Sequence, residues 1–374
     1  MKVGYLTTEL STKHGWGRYS IEIIKGMLKR GIKVLVLSSA NSRDNELPEV
    51  TNYPILTPLF SGARLTSLRI LGNFFKVREL VSSCDLVHCM AEPYAPLTAI
   101  ASKGKPYIIS GVGTYAVEPL NHLIKGAVLR YVYRKAAKIV CISRFTEGQI
   151  LRKVKLNNTV VIPLGVDYDA YQRPVCRSGE DRIVLSVGAV KPRKGYDVSI
   201  EAVAKVKEAT PNIEYFIIGD TTTSPGFFAY LQGLVERYNL QDTVHFLGEV
   251  SDQGLIKWYH RCDLFLLTPV NVGDAFEGFG LVYLEANACG KPVIGTLNCG
   301  AEEAIIDGYN GFLVPQRDSD ATAEVIRFLL TNPRVAEEIG DNGRKRAKEM
   351  SWDNTVSNIT SIYNEVLEEP NAQH

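Results

Sequence analysis

No apolar run in the 374 residues approaches the roughly 18 needed to cross a bilayer. The chain opens on the strand-like Val3-Gly-Tyr-Leu6, without the pattern of a secretory leader, so a cytoplasmic protein is expected. Cys-x-x-Cys is absent as well. The seven cysteines, an odd number, are scattered from Cys84 to Cys299, which argues against a disulfide framework and a zinc cluster and for reduced thiols in the core. No low-complexity linker divides the chain. With 45% hydrophobic content it can bury two cores of ordinary size, so two domains are expected.

The formal charge of +1 hides a division. Residues 1–174 carry 24 Lys+Arg and 12 Asp+Glu, giving +12, and the remainder carries 18 and 29, giving −11. A basic N-terminal half suits an anionic partner or surface, and opposite signs could favour closure of the halves; segregation for solubility is the plainer alternative. Strand-like runs at 2–7, 33–37, 86–89, 107–110 and 138–142 alternate with segments of helical period. Such alternation predicts right-handed βαβ crossovers and parallel sheets, with ligands at the carboxyl ends of the strands. The loops after strands are therefore where function is sought.

The richest such loop is Glu277-Gly-Phe-Gly-Leu-Val-Tyr-Leu-Glu285, between the apolar run Asp263–Thr268 and a helix expected to end at Gly290. Glycines there let the backbone approach a ligand, and the amides opening the helix would face an anion. Two carboxylates at Glu-x7-Glu spacing could accept hydroxyl groups at two ends of a long ligand; an amphipathic helix with two solvated glutamates explains the spacing equally well. Ahead of it, the strand from Ile183 to Gly188 leads into Ala189-Val-Lys-Pro-Arg-Lys-Gly-Tyr-Asp197. Lys191, Arg193 and Lys194 near a helix start run against the helix dipole, and a bound diphosphate explains them better. Asp167-Tyr-Asp169 has a metal-binding spacing but lies among Pro163, Gly165 and Pro174, and reads as a hinge; no metal is expected.

These stretches, followed by Lys291-Pro-Val-Ile-Gly-Thr296 and Glu302-Glu-Ala-Ile-Ile-Asp-Gly-Tyr-Asn-Gly-Phe-Leu-Val-Pro315, resemble the donor half of a retaining glycosyltransferase of family 4. The resemblance covers nearly the whole chain. It implies the α/β fold called GT-B, in which two Rossmann-like, doubly wound parallel-sheet domains face each other across a cleft. Residues 1–165 would bind the acceptor, 166–181 form the hinge, 182–350 bind a nucleotide sugar, and a helix in 351–374 cross back to the first domain. The implied reaction is metal-independent hexosyl transfer, with retention, from a UDP- or GDP-sugar to a glycan, lipid-linked or small-molecule acceptor. No cofactor and no nucleic-acid partner are implied.

The resemblance assigns Arg193 and Lys194 to the charge that builds on the leaving phosphate, Glu277 to the sugar hydroxyls and Glu285 to the ribose. The backbone of Gly278, Phe279, Gly280 and Leu281, with Gly15 and Gly17 from a loop before a helix expected near Arg18, would hold the diphosphate. Glu249, Val250 and Ser251 would meet the base. Two departures stand out: Ala189 falls where an arginine is usual, with Arg193 a substitute, and Val112 falls where a histidine is usual. Either the imidazole is dispensable, or His88 or Glu118 fills its space, or the loop is offset by one residue. Acceptor candidates are His88, Thr114, Tyr115 and Glu118; His88, after the strand Asp85-Leu-Val87, reads first as a buried histidine with ordinary partners and second as an acceptor residue. Two basic segments, 61–80 with Arg64, Arg69, Lys76 and Arg78, and 122–138 with Lys125, Arg130, Arg134, Lys135 and Lys138, suit peripheral contact with the anionic inner face of a membrane, or are helices with a solvated basic face. A sugar-nucleotide-binding protein of impaired activity, or an epimerase or phosphorylase on the same fold, are the rival readings.

Overall fold

The computed structural model describes residues 1–12, 15–42, 45–59, 71–172 and 182–368. They form two compact units, one of Met1–Leu164 with Trp352–His374 and one of Gly165–Ser351. Each is built on a single parallel sheet.

In unit 1 the strands are β1 (Lys2–Leu6), β2 (Lys33–Ser39), β3 (Asn52–Leu56), β4 (Leu86–Cys89), β5 (Tyr107–Gly111), β6 (Lys138–Cys141) and β7 (Thr159–Val161), in the order β3-β2-β1-β4-β5-β6-β7. In unit 2 they are β8 (Arg182–Val187), β9 (Ile213–Ile218), β10 (Val244–Gly248), β11 (Leu264–Leu266), β12 (Val293–Thr296) and β13 (Gly311–Val314), in the order β10-β9-β8-β11-β12-β13. Central strands covered on both faces must be apolar throughout, and β8, β4 and β11 are buried along almost their entire length. Both sheets reverse direction of winding once, at β1/β4 in unit 1 and at β8/β11 in unit 2. These are the positions at which successive crossovers leave on opposite faces and open a crevice.

The helix Trp352–Glu368 packs within unit 1 against the helix Gly15–Lys29. Val356 sits where a side chain on Gly26 would be, only 2.4 Å from the position of its absent Cβ. Tyr363 donates or accepts at His88 Nδ1 (2.6 Å), Thr355 Oγ1 donates to the Pro163 carbonyl (2.9 Å), and Arg30 pairs with Asp353 (2.8 Å). Such burial, at about 1.5–3 kcal/mol for each large apolar side chain, makes the helix part of that core. Of the stretch expected to be a hinge, residues 173–181 lie outside the described residues. In the rest, Asp167 caps the short helix Tyr168–Tyr171 by accepting from Ala170 N, and Asp169 accepts from Gln172 Nε2. No described helix is long and apolar enough to cross a membrane.

Candidate functional site

At the reversal point of unit 2 the loops leaving β8 and β11 are stitched together. After the tight turn Pro192–Lys194 the chain bends at Gly195, whose φ of +68° is costly for any residue with a Cβ. A Cβ there would also lie 1.8 Å from the Thr268 carbonyl oxygen, so only glycine lets the two loops touch. Thr268 Oγ1 donates to the Gly195 carbonyl (2.7 Å) and Val270 N to the Arg193 carbonyl (2.9 Å). Farther along, Gly300 N donates to the Glu277 carbonyl at 2.8 Å and fixes the second loop.

This stitching brings Lys194 Nζ to 2.6 Å and Arg193 Nη1 to 2.8 Å of the same oxygen, Glu277 Oε2. Lys194 and Glu277 are each only 8% exposed. Burial opposes ionisation of Glu277, but Lys194 and Arg193 override it and hold the carboxyl down at about 2. Burial also pulls the Lys194 ammonium below its ordinary value, with Glu277 opposing. Two cations share one carboxylate, and the half-buried Lys191 stands on the same loop. The cluster therefore carries excess positive charge where water is scarce, an arrangement made for an anion.

The reversal point of unit 1 holds a different group. Glu92, 1% exposed in the turn after β4, accepts from Trp16 Nε1 (2.9 Å) and from Val112 N (2.6 Å), joining the first turn of the helix Gly15–Lys29 to the segments that follow β4 and β5. Burial raises its carboxyl to about 7, although its own amide and those of Val112 and Gly113, with the Trp16 indole, favour the charged form. The Tyr115 ring lies 5.0 Å from that of Trp16.

The sequence profile of glycosyl transferases group 1 matches residues 168–346 and that of glycosyltransferase family 4 matches residues 14–170. Together the two profiles span residues 14–346, overlapping at 168–170. The chain belongs to the family 4 glycosyltransferases of GT-B fold. An uncharacterized glycosyltransferase of Methanocaldococcus jannaschii is 28% identical to this glycosyltransferase over 355 residues, 92% of this chain and 93% of that one. The GDP-mannose-dependent alpha-(1-6)-phosphatidylinositol monomannoside mannosyltransferase of Mycolicibacterium smegmatis is 28% identical over 267 residues, 68% and 69% of the two chains. The match to the D-inositol 3-phosphate glycosyltransferase of Geodermatophilus obscurus, 32% identical, spans 56% of this chain and 48% of that protein, about half its length. Among solved structures, HepE of Anabaena in complex with UDP and glucose superposes with a TM-score of 0.80 at 22% identity, over 97% of this chain and 99% of that one.

In this glycosyltransferase the two glutamates of the Glu-x7-Glu stretch are buried rather than solvated. Glu285 is 1% exposed, in the second turn of the helix Leu281–Ala288, and its Oε2 accepts from Tyr259 Oη at 2.7 Å. Gly280 caps that helix in left-handed backbone, Phe279 is 1% exposed, and the first amides, at Leu281 and Val282, have no carbonyl of their own helix to bond. Glu249 is exposed and Val250 half-buried; Ser251 caps the helix Asp252–Arg261, accepting from Gly254 N at 3.2 Å.

Unit 1 differs from expectation in three places. The helix begins at Gly15, not near Arg18, so Gly15 and Gly17 lie in its first turn. A Cβ on Gly17 would stand 2.1 Å from the Ser11 carbonyl oxygen, so that glycine answers a close approach of the chain to itself. His88, expected among the acceptor residues, is fully buried, with Nδ1 on Tyr363 Oη (2.6 Å) and Nε2 on Ser110 Oγ (2.8 Å); burial lowers its pKa to about 3. Both nitrogens are taken, and it is a core residue. The group that reaches Val112 is thus neither His88 nor Glu118 but Glu92. Glu118 instead accepts from or pairs with His122 Nε2 at 2.9 Å on the surface, and Thr114 opens the short helix Thr114–Val117 with Tyr115 partly exposed.

Proposed function

We propose that the protein transfers a hexosyl group from a UDP- or GDP-sugar to a glycan, lipid-linked or small-molecule acceptor, with retention and without a metal. The observation that carries this reading is the meeting of Lys194 and Arg193 on one buried carboxylate, at the point of unit 2 where such sheets bind ligands. As the glycosidic bond breaks, charge builds on the phosphate oxygen nearest the sugar. Lys194 and Arg193, assisted by the amides of Phe279 to Leu281, stabilise that charge more than they stabilise the ground state. Arg193 supplies the guanidinium that Ala189 lacks.

Glu277 holds sugar hydroxyls, while the two cations keep it ionised and ready to accept them. Glu285 is assigned to the ribose, Glu249 to Ser251 to the base, Gly15 and Gly17 to the diphosphate, and Thr114, Tyr115 and Glu118 to the acceptor. In front-face transfer the leaving phosphate itself takes the acceptor proton, so the scheme asks for no enzymic nucleophile. The names of the relatives support a nucleotide sugar, and the basic balance of residues 1–174 supports work at an anionic membrane face on the cytoplasmic side.

The test is incubation with UDP- and GDP-hexoses and a panel of acceptors, reading free nucleoside diphosphate, glycoside mass and the anomeric configuration by NMR. Release of diphosphate with an α-product from an α-donor supports the reading. Tight donor binding without turnover on any acceptor would favour the binding-protein alternative, and a free epimerised sugar nucleotide an epimerase.

A further inference from the structure

Among the described residues of unit 1, six of the ten large apolar side chains left in water, including the four most exposed, gather on three adjoining helices. Leu123–Lys135 buries Gly126, Leu129, Val132 and Tyr133, yet turns outward Leu123 (89% exposed), Ile124 (78%), Val128 (46%) and Tyr131 (64%). Positions 123, 124, 128 and 131 share a face at helical spacing, so the helix has a second apolar stripe that no described residue of its own unit covers. Ala95–Ala101 packs beside it and exposes Ile100 (47%); Phe74–Val81 packs beside that and exposes Phe75 (83%).

The charge on these helices is almost all positive. Phe74–Val81 and Leu123–Lys135 carry Lys76, Arg78, Lys125, Arg130, Arg134 and Lys135 against a single acid, Glu79, and Ala95–Ala101 carries no charge. A polyanion would be served by the cations alone and gives Leu123, Ile124 and Phe75 nothing to gain. A second copy of the chain meeting this face with its own would oppose like charges. A bilayer surface supplies both anionic headgroups for the cations and acyl chains for the stripe, and long basic side chains can lay their stems along the apolar residues while keeping their charge among the headgroups.

We propose that the outer face formed by Phe74–Val81, Ala95–Ala101 and Leu123–Lys135 docks on an anionic lipid bilayer. This deepens the membrane clause of the function proposed above and names its surface. Docking is peripheral and reversible, strengthened by anionic lipid and weakened by salt.

The full-length protein is to be sedimented with phosphatidylcholine vesicles with and without phosphatidylglycerol, at low and high salt. Binding is expected with phosphatidylglycerol only, and it should fall with salt. Replacing Leu123 and Ile124 by Gln should lower the partition coefficient at least about tenfold. Replacing Lys125, Arg134 and Lys135 by Gln should lower it about a hundredfold. All five positions are exposed, so unchanged melting temperatures will certify the folds. Nucleoside diphosphate release on a soluble acceptor in detergent should match the wild type in both variants, so loss of docking and loss of transfer are read separately. Wild-type protein that ignores phosphatidylglycerol, or variants that bind as well as wild type, would overturn the proposal. So would lipid-free self-association, by sedimentation velocity, that the Leu123/Ile124 variant abolishes, since the occupant would then be a second copy.

Discussion

Glu277→Gln separates the two duties assigned to the cluster in unit 2. The substitution keeps the shape of the side chain but leaves Arg193 and Lys194, drawn together by Glu277 Oε2, without their negative partner. With Lys194 8% exposed, little solvent is at hand to take its place. The carboxyl titrates at about 2 in the folded chain against an ordinary 4.5. A depressed folded value means that ionised Glu277 stabilises the fold above pH 4.5 and that this contribution is lost as the pH falls through 2. The difference is worth about 3 kcal/mol at neutral pH. Glu277→Gln should therefore lower the melting temperature by roughly 6–12 °C at pH 7. The gap to wild type should close on acidification.

Nucleoside diphosphate should restore what was lost, because its charge replaces the missing carboxylate between the two cations. UDP or GDP, whichever the wild type binds, should thus raise the melting temperature more in the variant than in the wild type, while turnover falls because the sugar is no longer held. Differential scanning fluorimetry with and without the free diphosphate, beside turnover of the intact donor, measures both. A variant that binds the diphosphate tenfold more weakly than wild type would refute the reasoning, since Glu277 would then be needed for the nucleotide itself.

Lys194→Ala should lower the turnover number about a hundredfold, about 3 kcal/mol of transition-state stabilisation; diphosphate release under saturating donor measures it. Gly195→Ala forces a Cβ to within 1.8 Å of the Thr268 carbonyl oxygen. It should destabilise unit 2 by at least about 2 kcal/mol, visible as an earlier urea transition. Glu92, with its folded pKa raised from 4.5 to about 7, stabilises unit 1 fully below pH 4.5 and loses that contribution as the pH rises through 7. Between pH 5 and 8 the wild type should lose about 2.5 kcal/mol that Glu92→Gln does not lose. Parallel stability curves for the two proteins would remove Glu92 from the titration.

The central strands and the two-unit plan were legible because apolar runs such as Ile183–Val187 and Ile213–Ile218 end sharply at Gly188 and Gly219. The edges were harder. β3 carries Pro54 and is half-exposed, as an edge strand can be, and β7 is three half-buried residues, so neither shows a clear run. Lys194 and Glu277 were readable since both stand in loops that follow central strands, which is also why they meet. Glu92 was not. In Ala91-Glu-Pro-Tyr94 a glutamate before proline looks like a solvated turn, and only Trp16 and Val112, 76 and 20 residues away in the chain, enclose it. His88 stayed open to two readings, core or acceptor, for the converse reason. Its place in a strand-end motif hid the fact that Tyr363, 275 residues onward, and Ser110 consume both ring nitrogens.

The placement of Trp352–Glu368 in the same unit as Met1–Leu164 makes the second unit an insertion within the first. During synthesis the ribosome completes the inserted sheet while the groove at Gly26 and the imidazole of His88 still wait for Val356 and Tyr363. A nascent chain halted at Ser351 would thus hold one finished body beside one missing its closing piece. Premature stop codons in the last helix should consequently yield protein that chaperones retain, with the inserted body resisting protease.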